Sequence, residues 1–143
     1  MHHIFIFFHV LSALLLGSFI VFPFIIMRFN DLSLLEQRKV SNTLLFFVKV
    51  GEISLIVLLF TGTAMLSEFG KMSASLWVTT SSILLFIIGA LLGMMHSKLK
   101  ALNSLNLDKF QIYKYYKRLR IYSWITMLSV VLAILVMTNP EIL

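Results

Sequence analysis

The residues of this chain that could do chemistry are few: His9, the pair Lys49 and Glu52, the run Met94-Met95-His96, and an amino-terminal Met1-His2-His3. His9 sits about six residues inside an apolar run, roughly 9 Å below the edge of a hydrocarbon core at 1.5 Å of rise per residue. An ionisable residue at that depth reads first as functional, with a partner to be found. As a neutral imidazole it could ligate haem iron or copper. The structural alternative is a histidine hydrogen-bonded to a Ser, Thr or carbonyl of a neighbouring helix.

Lys49 and Glu52 lie one turn apart on one helix face and can pair. Counted from the other edge of the bilayer, Lys49 is about 9 Å deep and could snorkel, while Glu52 is about 13 Å deep, close to the midplane. The functional reading is a proton-carrying or substrate-anchoring carboxylate with Lys49 beside it. The structural reading is an ion pair that faces a neighbouring helix. Met94-Met95-His96 combines thioethers with an imidazole, a donor set that suits copper(I), although methionine is also an ordinary core filler. A free amino terminus with His3 at the third position offers four nitrogens in a plane, a copper(II) or nickel(II) geometry. Arg28 closes the first apolar run, as an interface anchor or as a partner for a cofactor carboxylate. The sequence contains no nucleophilic triad, Gly-rich phosphate loop, metalloprotease motif or paired intramembrane carboxylates, and it assigns no enzymatic activity.

These residues must be held by helices in a bilayer. The chain is 59% apolar and 13% charged, with a mean hydropathy of +0.97, and its apolar residues fall in long runs. Four spans are predicted, at residues 4–27, 43–66, 75–96 and 121–137, each long enough for a roughly 30 Å core. Backbone in hydrocarbon must satisfy its own hydrogen bonds, so the spans are helices and residues 1–143 form a single integral membrane domain. With no cysteine, disulfides and thiolate metal sites are excluded. The N-terminus lacks a basic region and a cleavage site, so the first span is expected to be retained.

Lysine and arginine set the orientation. Arg28, Arg38 and Lys39 fall in the first loop, and Lys98, Lys100, Lys109, Lys114, Lys117, Arg118 and Arg120 in the third. The middle loop holds only Lys71. That asymmetry predicts an all-α, up-down-up-down four-helix bundle with both termini outside and residues 28–42 and 97–120 in the cytoplasm. The net charge of +6 is concentrated in those two loops, so its partner is the anionic headgroup layer of the bilayer and not nucleic acid. Ser33 with Glu36 and Asp108 with Gln111 read as capping boxes, which would start the second and fourth helices before they enter the membrane. Tyr113, Tyr115, Tyr116, Tyr122 and Trp124 suit an interfacial aromatic belt, and Trp77 the outer start of the third helix.

Small residues stripe each helix: His9, Ser12, Ala13 and Gly17; Gly51, Ser54, Thr61 and Gly62; Ser82, Gly89, Ala90 and Gly93; Tyr122, Thr126, Ser129 and Ala133. Such stripes predict a compact bundle. On these spans His9 is outer and His96 inner, about 15 Å apart in depth by helix rise, so one haem could not take both as axial ligands. Glu52 is then the nearest ionisable candidate partner for His9.

The first span, with His9 early, Gly17 following and Pro23 near the inner end, resembles the first helix of a group of four-helix membrane proteins. That group includes copper-resistance-D-like domains and the HemJ type of protoporphyrinogen oxidase. The second span's ending LLFTG, with Thr61 and Gly62, is similar to the group's L-x-x-TG ending. The resemblance implies a haem- or copper-related membrane protein with His9 as a ligand. It does not extend to the oxidase activity: Leu16 stands where the group often has tryptophan, and Lys98 falls only after the third span. The expected function is haem or redox-cofactor binding through His9, for cofactor handling or membrane-complex assembly, with copper as a lesser alternative. The competing expectations are an oligomeric transporter or ion-pathway protein using Glu52 and Lys49, and a non-catalytic accessory subunit bound to a partner membrane protein. The expected location is a bacterial cell (inner) membrane.

Overall fold

A computed structural model describes residues 2–69, 75–103 and 109–139 of the chain. Among the described residues every element is helical. The first span is α1 (His2–Gly17), a 3-10 turn (Ser18–Val21), α2 (Phe22–Met27) and a second 3-10 turn (Arg28–Asp31). Three unbroken helices follow: α3 (Leu34–Phe69), α4 (Ser75–Leu102) and α5 (Lys109–Thr138). Four stretches are long and apolar enough to cross a membrane, His3–Met27, Leu35–Ala64, Val78–Leu102 and Phe110–Thr138. Lys71, Asp108 and Met1, on which parts of the sequence reading rest, lie outside the described residues.

Pro23 accounts for the break in the first span. It has no N–H to donate and its ring crowds the carbonyl of Phe19, so the preceding turn tightens into a 3-10 helix. Ser18 Oγ donates to the Leu15 carbonyl at 2.7 Å, closing one of the backbone acceptors near the break. Above the break α1 packs on α3; below it the 3-10 turn and α2 pack on α5. One span thus serves two neighbours.

The other contacts fix the register. Phe19, 1% exposed, puts its ring against Gly51 of α3. Leu55 lies against Gly89 of α4, and Asn103 near the end of α4 donates to Asn42 near the start of α3 at 2.7 Å. Thr126 Oγ1 of α5 lies 3.7 Å from the Met95 sulfur. The buried core these contacts enclose draws on all four spans, with Ile26, Val48, Leu92 and Leu119 each 0% exposed.

Three of the hydroxyls inside this core donate within their own helices. Ser54 donates to Val50 O at 2.8 Å, Thr126 to Tyr122 O at 2.7 Å and Ser123 to Arg120 O at 2.8 Å. These three are buried without stranding a donor, whereas the buried hydroxyls of Ser41 and Ser81 have no partner among the described residues.

The helices outlast the predicted spans. α3 has 36 residues, about 54 Å at 1.5 Å per residue, against a core of about 30 Å. At its start the glutamate half of the expected box is present: the Ser33 amide and hydroxyl both donate to Glu36 Oε2, at 2.9 and 2.6 Å. Tyr116 departs from its belt assignment. It is 4% exposed, stacks on Phe29 with centroids 5.8 Å apart, and donates its hydroxyl to the Ile26 carbonyl at 2.6 Å. The Ile26 carbonyl at the end of α2 also takes the Arg28 amide, and the phenol adds a second donor.

Candidate functional site

His9 is positioned by the packing of α1 on α3. Its Nδ1 is 2.9 Å from Thr61 Oγ1, and its Cε1 lies over Gly62, 3.7 Å from where a Cβ there would stand. The helix-one histidine and the Thr-Gly ending of the second span, which the sequence offered as separate features, meet in space. Thr61 has a single hydroxyl hydrogen and lies 2.8 Å from the Val57 carbonyl and 3.2 Å from that of Leu58. With the hydrogen given to the backbone, the oxygen can only accept from the imidazole. Nδ1 of His9 is then the protonated nitrogen and Nε2 carries the lone pair, a tautomer assigned from the hydrogen-bond network. The ring is half-buried, with Ser12 of the same helix buried one turn away.

Glu52 meets neither of the partners that spacing offered it. Both of its carboxylate oxygens approach His96 Nδ1, at 3.0 and 3.2 Å, across the contact between α3 and α4. The side chains are 33% and 27% exposed, so the pair lies at the edge of the bundle. Lys49 is exposed one turn away and has no ion pair among the described residues. Glu52 and Thr61 are nine residues apart on α3, about 14 Å by helix rise, so the two histidine sites are separate.

The Met94-Met95-His96 run does not converge. Met95 is 0% exposed in the core, Met94 is 40% exposed on the outside, and His96 is held by Glu52. His3 is exposed near the start of α1, and Arg28 is exposed at the end of the first span. No group of three or more His, Cys, Asp or Glu side chains that could hold a metal ion occurs among the described residues. The α4 stripe is also placed differently from a packing stripe. Ala90 and Gly93 are exposed, and the buried face of α4 is Leu85, Ile88, Leu92, Met95 and Leu99.

Thr61 as the histidine's specific partner, His96 as the carboxylate's, and Tyr116 as the cap on α2 were not individually readable. For Thr61 the signal was present, since it lies on the small-residue stripe of the second span. Comparison with protein-family models, with curated proteins and with solved structures gave no significant match.

Proposed function

We propose that the chain is a small integral protein of a bacterial cell (inner) membrane that binds haem or a related redox cofactor through His9 Nε2. Its four helices alternate in direction, both termini are outside, and residues 28–42 and 97–120 face the cytoplasm. The observation that carries the cofactor reading is the Thr61 hydroxyl. By accepting from Nδ1 it fixes the imidazole's orientation and leaves a lone pair on Nε2, as the hydrogen-bond acceptor behind a ligating histidine does.

A single such nitrogen suits a macrocycle that brings four nitrogens of its own and takes an axial ligand from the protein. A bare copper ion would need several side chains, and the described residues provide no such set. Haem would supply one-electron redox chemistry. The chain's own part is to hold the imidazole oriented through Thr61 with the Nε2 lone pair available. Cofactor handling, redox chemistry or assembly of a larger membrane complex are the roles this reading fits.

The test is the visible spectrum of the purified protein after haem addition. A Soret band that is lost in His9→Ala and weakened in Thr61→Val is expected. A colourless protein that takes up no haem, or haem uptake unaffected by His9→Ala, removes the reading.

The Glu52–His96 pair favours a second reading, an ion-pathway protein using Glu52 with Lys49 beside it, because an ionisable pair well inside a span is costly unless it has a use. Flux in proteoliposomes that falls in Glu52→Gln supports it, and flux indifferent to that change removes it.

A further inference from the structure

The face shared by α3 and α4 carries charges that this chain alone leaves poorly matched. The Glu52 carboxylate, its side chain a third exposed, lies against His96 in a stretch of helix apolar enough for the bilayer. One turn along α3, Lys49 is exposed and without an ion pair among the described residues. In low dielectric a separated positive and negative charge are each expensive, and bringing them together lowers the cost. Within one chain the carboxylate is already turned to His96 on the neighbouring helix.

We infer that a second copy of this chain packs on the α3–α4 face, with Lys49 of each copy reaching Glu52 of the other. Copies in one bilayer share an orientation and are related by a two-fold axis along the membrane normal, so residues of similar depth meet. Lys49 and Glu52 differ by three positions, about 4.5 Å of rise, which a flexible lysine stem spans. The two-fold makes the pair twice. Close approach is available beside it: Gly93, one turn from His96, has nothing within 4 Å of where a Cβ would stand, and the neighbouring Ala90 and Ser97 are exposed too. Ile53 and Ile56, 62% and 55% exposed next to Glu52, supply apolar area around the charges. The inference holds whether or not His9 binds a cofactor.

The chain has no cysteine, so a single introduced thiol reports on its own neighbours. In native membranes Gly93→Cys is expected to form a disulfide-linked or short-reagent-linked dimer. Leu128→Cys, 59% exposed on α5, is the control and should give at least about tenfold less. Lys49→Glu or Glu52→Lys, each combined with Gly93→Cys, should reduce the dimer about tenfold. Co-expressing the two charge variants should restore it as a mixed dimer, because one copy then carries only acids at the two positions and the other only lysines. That recovery also shows that both variants fold. Equal crosslinking at Leu128, charge variants that crosslink like the parent, absence of recovery on co-expression, or Gly93→Cys joined to a different protein would each overturn the inference.

Discussion

Glycine gives the sharpest test of the packing at single residues. A Cβ at Gly51 would stand 2.5 Å from the Phe19 ring, and that ring is 1% exposed and wedged against Phe22, with centroids 4.5 Å apart. The ring has no open side to move into. Gly51→Ala is therefore expected to destabilise the protein by about 1–3 kcal/mol, the usual range for overpacking a core. Gly62→Ala meets only ordinary contact with His9, and Gly93→Ala meets nothing, so both should stay close to the parent. Thermal unfolding in a mild detergent ranks the three, and equal stability of Gly51→Ala and Gly93→Ala would refute the packing described. Thr61→Val removes the acceptor for His9 Nδ1 and should cost about 1 kcal/mol in the same measurement, in line with interhelical hydrogen bonds in membranes.

The same scale shows what the sequence could disclose. That His9 needed a partner followed from depth, and a neighbouring Ser or Thr was one of two readings. Which hydroxyl it meets depends on how α1 and α3 are set along one another, a property of two surfaces and not of either segment. Glu52 illustrates the same limit with a second cause. With the third span ended at His96, that residue fell at the interface, whereas α4 continues to Leu102 and packs on α3 so that His96 meets the carboxylate.

Elements were legible where their signals are local. The Ser33–Glu36 cap is written in four consecutive residues, and its glutamate half is found at the start of α3. Ser33→Ala takes one of two donors from the Glu36 carboxylate and leaves the Ser33 amide in place, so only a small drop in unfolding temperature in mild detergent is expected. Helix lengths were less legible, since an apolar window measures the bilayer and a helix can run past it wherever its polar turns are solvated. The break at Pro23 and the cap from Tyr116 belong together. Pro23 tightens the turn before α2, α2 settles on α5, and the phenol of α5 then closes the Ile26 carbonyl with a second contact of 3.2 Å to Met27 O. Tyr116→Phe keeps the stacking on Phe29 and removes one of two donors to that carbonyl, the Arg28 amide remaining, so a loss of about 0.5–1.5 kcal/mol is expected. Unfolding of Tyr116→Phe at the parent's temperature would show that water serves the carbonyl as well.

For the whole molecule, composition alone decided the solvent, and four membrane-length helices follow from it. Orientation rests on a different physical basis, the bias of lysine and arginine toward cytoplasmic loops. The contacts among the helices bear on this in one respect. Asn42 meets Asn103 at one end of the α3–α4 pair, and Arg38 and Lys39 precede the first while Lys98 and Lys100 precede the second, so the basic residues of both loops gather at one end of the bundle. Lys98 lies over the Tyr115 ring at 5.3 Å, which brings the start of α5 to that end as well. A bundle with its cations at one end can be inserted two ways, and only one puts them in the cytoplasm. Single cysteines in this cysteine-free chain discriminate the two. Arg38→Cys and Lys117→Cys, both at exposed positions, should react with a membrane-impermeant maleimide only in inverted vesicles. Asn139→Cys, exposed just beyond α5, should react only in intact cells or right-side-out vesicles. Labelling of Arg38→Cys from outside would reverse the orientation, placing Lys49 and Glu52 on the outer side of the midplane and His9 on the cytoplasmic side. Any cofactor held by His9 would then be loaded from within the cell.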